Sequence, residues 1–329
     1  MININYLLAF CFAAITTVLL GAFVIPMLKK LRAKQPIYKY VETHKEKQGT
    51  PTMGGLFFII PAAIISIIFC GLKERVFVFA VVIGVAFMVV GFLDDFIKIR
   101  LKHNQGLKAY QKIIFQLLIS VFAGVFVYKN GLTVVNIPFT DFSFDLKIYS
   151  IPITVVVFIA ITNCVNLTDG LDGLAGSTGA VSLAIFGFII LLQTTVLTES
   201  FARSDGLKNL SVLSFSLAGA LFGFLVYNVN KAQVFMGDTG SLSLGGFIGA
   251  IAIFSGNTFF IPVVGIMFVI SGISVIIQVL YYKKTKKRVF LMAPLHHHLQ
   301  MKGKTETSIA YLYVFITVIL GVLSIIKYV

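Results

Sequence analysis

Five aspartates stand where long apolar runs end: Asp94 and Asp95, Asp169 and Asp172, and Asp238, in a chain of 329 residues with only 13 acidic side chains. Carboxylates beside hydrocarbon are costly to keep ionised, so a metal ion or cationic groups must hold them. Three separate segments bringing negative charge to one surface outline an active site at a membrane face. Asn166-Leu-Thr-Asp169-Gly170-Leu171-Asp172-Gly173 is the densest polar cluster. Asp169 and Asp172 are three apart, so any helical turn here would put them on one face. The glycines at 170, 173 and 176 would let a ligand approach the backbone. An EF-hand is excluded, because its ligand spacing and closing Glu are missing. A polar helix cap is the competing reading, but a cap needs one carboxylate and this segment offers two.

Phe235-Met-Gly-Asp238-Thr-Gly-Ser241 is a Gly-rich turn leading into an apolar run. Such turns bind phosphate through backbone N–H groups and the helix dipole. Asp238 beside it suits a magnesium ion that also holds a phosphate oxygen; as a bare N-cap the turn needs no function. Asp94 and Asp95 point about 100° apart on a helix, so one could face a site while the other faces a cation. Simple balancing by Lys98, Arg100 and Lys102 is the alternative. The turn from Gly49 to Gly55 follows Lys47, which is available to a phosphate or a base carbonyl, although a topogenic lysine would look the same. His296, His297 and His298 follow Pro294-Leu. Three consecutive histidines rarely share one zinc ion because neighbouring side chains diverge; phosphate contact or proton transfer fits better than that, with an inert surface run as the rival.

The elements that must position these residues are membrane spans. The chain is 58% hydrophobic and 12% charged, against about 25% charged in soluble domains, and its mean hydropathy is +0.95. Apolar stretches of spanning length fall near 6–28, 54–72, 76–97, 111–128, 151–167, 174–193, 211–229, 241–256, 259–282 and 308–328. The expected fold is therefore an all-α integral membrane protein of ten transmembrane helices in one polytopic domain, 1–329. The first run lacks a basic n-region and a cleavage site and reads as a retained span. The span at 241–256 is the shortest and carries Gly245, Gly246 and Gly249. Alternation in Leu132–Phe139 and Phe142–Tyr149 predicts a small external β-hairpin, and 195–210 a short external helix. Cys11, Cys70 and Cys164 lack CxxC spacing and read as buried thiols.

Charge fixes an orientation. Segments after the odd-numbered spans hold 20 of the 27 Lys and Arg, and the opposite side holds seven: Lys73, Arg75, Lys129, Lys147, Arg203, Lys208 and Lys327. The positive-inside rule then puts both termini outside and all five aspartates in the cytoplasm. No basic stripe with interleaved aromatics marks a nucleic-acid surface. A cation-coupled transporter would place its carboxylates near the midplane, usually between inverted repeats; neither feature is visible.

The ordered set G-T-P-T-M-G-G, F-x-D-D, N-L-T-D-G-L-D-G, V-F-M-G-D-T-G-S and P-L-H-H-H resembles the phospho-N-acetylmuramoyl-pentapeptide transferases, within the polyprenyl-phosphate N-acetylhexosamine-1-phosphate transferase superfamily. Each motif is weak alone, and the resemblance runs the whole chain. It implies transfer of phospho-MurNAc-pentapeptide from UDP-MurNAc-pentapeptide to undecaprenyl phosphate, giving lipid I and UMP for peptidoglycan synthesis. It also implies Mg²⁺, a homodimer in the bacterial cytoplasmic membrane, and a ninth span that bends or breaks, which Pro262, Gly265 and Gly272 permit. By position, Asp238 and Asn166 resemble the Mg²⁺-site residues, and Asp94 the proposed base toward the lipid phosphate, supported by Asp95. Lys47, Asp169, Gly170, Leu171, Asp172, Asn228 and Phe235 match positions that hold the uridine and its diphosphate, with Phe235 stacking on uracil. Thr52 and Asn166 complete the substrate-binding set, and the three histidines match a triplet needed for activity. Leu299-Gln300 departs from the expected Phe-Glu or Leu-Glu. The alternative within the superfamily is a transferase of a GlcNAc-1-phosphate-type group, which the P-L-H-H-H run disfavours.

Overall fold

A computed structural model describes residues 4–30, 49–101, 106–196, 201–229, 231–326 and 328. In chain order the helices are α1 (Ile4–Lys30), α2 (Gly55–Cys70), α3 (Arg75–Leu101), α4 (Ala109–Lys129), α5 (Ser150–Thr168) and α6 (Leu174–Val196). They continue with α7 (Phe201–Asn228), α8 (Gly237–Phe254), α9 (Ile261–Val264), α10 (Ile266–Thr285), α11 (Leu295–Met301) and α12 (Glu306–Ile326). Among the described residues nine helices are long and apolar enough to cross a membrane. The second expected span, α2, has 16 residues and is shorter than these. The expectation of ten spans thus meets nine long helices and one short apolar one.

The Gly-rich run expected to span at 241–256 is the centre of the bundle. Almost every residue of α8 is buried, with α2, α3 and α5 packed around it. Small residues let helix backbones approach closely where no hydrophobic drive separates protein from lipid. A Cβ at Gly91 of α3 would run into the Asp238 carbonyl, and one at Gly245 would meet the Thr162 Cα at 2.5 Å. These two close approaches bring the ends of α3 and α5 to the start of α8. The carboxylates therefore converge because the helices carrying them have no side chain where they cross.

Away from α8, α7 packs between α1 and α6, and α12 lies on α6. The ninth expected span, 259–282, is broken at Gly265: a 3-10 turn at Thr258–Phe260 and the four-residue α9 precede α10. Pro262 sits in the first turn of α9, where its missing N–H costs nothing. Ser182 Oγ donates to the Val264 carbonyl (3.2 Å) at this break, meeting a backbone group the short helix leaves open. Nearby, Gln193 and Asn257 satisfy each other's buried side-chain amides at 2.7 and 2.9 Å.

The hairpin forms as expected but is smaller. Strands β1 (Val134–Asn136) and β2 (Ser143–Asp145) pair antiparallel with Val135 opposite Phe144. Asn136 N–H donates to the Gly256 carbonyl at 2.8 Å, so the hairpin sits over the end of α8. The short helix expected at 195–210 is not separate; from Phe201 it is the first part of α7. Gly91→Ala should force α3 from α8, lowering stability by about 1–3 kcal/mol and abolishing activity. Gly206→Ala, whose methyl would meet Glu74 only at an ordinary 3.4 Å, should leave the thermal midpoint near wild type; both are read by thermal unfolding in detergent.

Candidate active site

Asp94, Asp95 and Asp238 each place a carboxylate oxygen within 4.8 Å of the others, an arrangement able to hold a metal ion. Asp94 and Asp95 are 0% and 2% exposed, so their charge must be met locally. Lys98, one turn along α3, puts its Nζ 2.5 Å from Asp94, 3.3 Å from Asp238 and 3.7 Å from Asp95. Lys112, in the first turn of α4, lies 3.2 Å from Asp94 and forms a short ion pair with Asp238. The Leu107 N–H adds a 2.8 Å hydrogen bond to Asp94. Two ammonium groups against three carboxylates leave one net negative charge. Lys98 was legible as a balancing cation. Lys112 was not singled out, although a lone cation inside an apolar run is the signal that could have found it.

The adjacent aspartates have different surroundings. Asp95 Oδ2 accepts from the Thr239 backbone N–H (2.9 Å) and from its hydroxyl (2.7 Å), which caps the start of α8. Asp94 instead faces the lysines. Asn166, in the last turn of α5, donates through its amide nitrogen to Asp238 Oδ1 (2.9 Å) and to Ser241 Oγ (2.8 Å). In this arrangement its amide nitrogen orients the Asp238 carboxylate, beside the three carboxylates that could hold a metal ion.

The turn from Gly49 to Gly55 pairs with the loop before α8. Phe235 N–H donates to the Pro51 carbonyl (2.8 Å), Gly54 N–H to Phe235 (2.9 Å) and Gly55 N–H to Met236 (3.0 Å). Met53 takes a left-handed φ of 72°, a conformation costing of order 1–3 kcal/mol and typical of sites. Thr52 is buried, with no hydrogen-bond partner for its hydroxyl among the described residues. It lies against Gly237, where a Cβ would meet Thr52 Oγ1 at 2.5 Å. Phe235 stays half-buried beside this pairing. Lys47, with His44 and Lys45, lies outside the described residues.

The Asp169–Gly173 segment is a turn and not a helix, so its two aspartates do not share a helical face. Asp172 Oδ2 accepts from Ala232 N–H (2.9 Å), and its own N–H donates to Glu306 Oε2 (3.0 Å). Asn228 receives the Gly173 N–H (3.1 Å) and donates to the Val234 carbonyl (2.9 Å). Asp172 and Asn228 thus hold the loop itself. Leu171 is buried with Leu174, Met267, Ile309 and Tyr313, so its side chain belongs to the packing below the loop. Asp169 is pushed up to about 8, by desolvation first and then by the charges of Asp238, Asp95 and Asp172. Glu306 was missed by sequence reasoning; an acid opening the last apolar run was its only signal.

The histidines cover this loop. A Cβ on Gly170 would collide with His296 Nε2 and come within 3.2 Å of His297 Nε2. His296 is fully buried, neither ring nitrogen has a partner among the described residues, and burial followed by His297 drives it down to about 3. His297 Nδ1 lies 3.2 Å from Gln300 Oε1, the position that departs from the expected Glu. His298 Nδ1 accepts from Leu291 N–H (3.1 Å) and its ring meets the edge of Phe290. It is tied into the preceding loop.

A family model described as Glycosyl transferase family 4 matches residues 77–256, and phospho-N-acetylmuramoyl-pentapeptide-transferase signature 1 matches residues 47–59. A phospho-N-acetylmuramoyl-pentapeptide-transferase of Clostridioides difficile (strain 630) is 40% identical over 317 residues, 95% of each chain. The chain belongs to the phospho-N-acetylmuramoyl-pentapeptide-transferase family. Proteins of the same name from Clostridium botulinum (strain Alaska E43 / Type E3) and Caldanaerobacter subterraneus subsp. tengcongensis are 42% and 38% identical, covering 97% and 95% of this chain and 94% of each relative.

A family member with a neutral, buried His296 carries a pH signature. An unfolded histidine takes its proton near 6.5, whereas the folded one does so near 3. Between those values the unfolded chain holds more protons, so this contribution is complete above about pH 6.5 and is lost as pH falls toward 3. His296→Asn should flatten the fall in stability below pH 6.5 by up to about 1.4 kcal/mol per pH unit, measured as thermal midpoints between pH 4 and 7.

Proposed function

We propose that this chain transfers phospho-MurNAc-pentapeptide from UDP-MurNAc-pentapeptide to undecaprenyl phosphate, forming lipid I and releasing UMP in peptidoglycan synthesis. The observation that carries it is the buried cluster of Asp94, Asp95 and Asp238 with Lys98 and Lys112, set where α8 begins after a Gly-rich turn. A phosphate oxygen of the lipid attacks the sugar-bearing phosphorus, and the bond to the UMP phosphate breaks. Phosphoryl transfer is catalysed mostly by positioning and charge neutralisation. The relatives' shared name supports the substrate pair. The 20 of 27 basic residues on the aspartates' side support a cytoplasmic site in a bacterial cytoplasmic membrane. A homodimer is part of this reading through the family alone.

The donor set fits Mg²⁺: three carboxylates, oxygen ligands only, with one net negative charge left after the two lysines. Asp238 is the principal ligand, with Asn166 orienting it. Bound there, the ion would neutralise charge on phosphate oxygens. The chain's own residues do the rest. Lys98 and Lys112 draw the phosphate nucleophile to the carboxylate edge, while the N-terminal turn of α8 turns its positive end to the diphosphate. Asp169, Gly170, Phe235 and Thr52 line the nucleotide's place, with Lys47 assigned to it by the family resemblance alone, and Asp172, Asn228 and Leu171 hold the loop that shapes it. His296 and His297 supply directed imidazole nitrogens beside Gly170.

A base role for Asp94 has little proton to remove. A phosphate monoester has its second pKa near 6 and is mostly dianionic at neutral pH. Asp94 is already engaged by Lys98, Lys112 and Leu107 N–H, so it holds the cations that meet the nucleophile. Asp94→Asn should therefore lower the rate about equally from pH 6 to 9; recovery at high pH would restore the base assignment. Metal-dependent UMP release should occur from UDP-MurNAc-pentapeptide and fail with UDP-GlcNAc. Asp238→Asn should abolish that release and also the rise in thermal midpoint on adding Mg²⁺. Release from UDP-GlcNAc instead would make the chain a GlcNAc-1-phosphate-type transferase.

A further inference from the structure

A hollow lies at the end of α3 away from the aspartates. Arg75 opens that helix and Asp94 follows 19 residues later, which at 1.5 Å per residue is about 28 Å away, close to the roughly 30 Å of a bilayer's hydrocarbon core. The hollow has a volume of about 770 Å³ and lies where the end of α2, the starts of α3 and α7, and the ends of α4 and α8 meet. Its inner wall is apolar, built from Leu132, Leu207, Leu210 and Phe254. Its mouth is polar, with Lys73 and Arg75 both exposed.

The two carboxylates at this mouth are already engaged. Glu74 accepts from Phe77 N–H (2.8 Å) and so caps α3, and Asp205 pairs with Lys208 (3.2 Å). Among the described residues Lys73 and Arg75 have no ion-pair partner. Span counting puts only seven Lys and Arg on this side, against 20 on the other. Lys73 and Arg75 line the hollow, and Lys129 and Lys208 are chain neighbours of its lining residues Asn130, Leu207 and Asn209. A face that otherwise sheds positive charge keeps four of its seven cations around one cavity. Topology does not require that clustering, and packing does not either, since Lys73, Arg75 and Lys129 are exposed.

We propose that this cavity is a binding site for the phosphate head group of an anionic phospholipid, on the membrane face opposite the aspartates. Lys73 and Arg75 meet the phosphate, and Asn130 and Asn209 offer polar contacts to the glycerol region. The apolar wall receives the first methylenes of the acyl chains. A free phosphate would use the same two cations but would leave that wall empty.

The test uses the full chain in detergent, titrated with phosphatidylglycerol, phosphatidylcholine or inorganic phosphate and read by native mass spectrometry together with thermal unfolding. One phosphatidylglycerol should be retained at least about tenfold more tightly than phosphatidylcholine. The double variant Lys73→Gln/Arg75→Gln should lose that preference, while Lys147→Gln, a charge change elsewhere on the same face, should keep it. Melting without added lipid shows whether the double variant is folded, and single Gln variants, each expected to weaken the preference in part, serve if it is not. Equal retention of the two lipids, or an unchanged preference in the folded variants, overturns the proposal. So does equal stabilisation by inorganic phosphate alone, which would assign the site to a free anion. UMP release should be unaffected by these variants, so either outcome is independent of the proposed transfer reaction.

Discussion

Three carboxylates sit together at the edge of hydrocarbon, and the fold around them is organised by the need to neutralise their charge. Buried like charges cannot coexist ionised without partners, and here the partners are Lys98 and Lys112, from α3 and α4. Their reach depends on helix crossings fixed elsewhere. Gly91 lets α3 touch the Asp238 backbone, and Gly245 lets α5 touch α8. A side chain at either crossing would separate the helices and leave the lysines facing fewer acids. The glycine content of α8, the shortest of the expected spans, is thus the condition for the charge cluster.

Within the cluster, adjacency in sequence does not mean similarity of task. Asp95 is committed to the N-terminus of α8 through Thr239, and Asp238 is fixed by Asn166 on one oxygen and by lysines on the other. Asp94 is the member bound mainly by side chains that can move, because lysine carries a point charge on a long flexible stem. The pair therefore divides between a structural cap and an electrostatic holder. A similar division holds in the loop after α5, where Asp172 is bound at both its carboxylate and its backbone N–H, while Asp169 has desolvation and like charge around it.

The apolar helices and the existence of the hairpin were legible because they rest on composition and period, which are local. The family was legible from motif order. What escaped was set by tertiary packing. Lys112 reaches Asp238 across 126 positions, and Glu306 reaches Asp172 across 134. No spacing rule links such residues. The helical face considered for Asp169 and Asp172 does not form for a related reason: α5 ends at Thr168 and α6 begins at Leu174, so both carboxylates lie in the turn between them, which closes at Gly173 with a φ of 71°. Leu171 was assigned by motif position, yet its side chain serves the packing against Tyr313 and Met267.

The histidines pose the converse question, since their motif was plain and their chemistry was not. A run of histidines in a basic loop invites the idea of added positive charge for a diphosphate. Burial excludes that for His296, which stays neutral down to about pH 3. His298 is occupied by Leu291 N–H. Lys98 and Lys112 supply positive charge at the carboxylate cluster, and the buried His296 contributes direction rather than charge. His296 holds two buried ring nitrogens without partners among the described residues, a state that costs about 1–3 kcal/mol for each unmet group. Such groups in a native site call for a partner that arrives later. Because Gly170 has no side chain, the imidazole edge packs directly on the backbone of the loop proposed to receive the nucleotide. A ligand held by that loop would give His296 the hydrogen bonds that the protein leaves unmade.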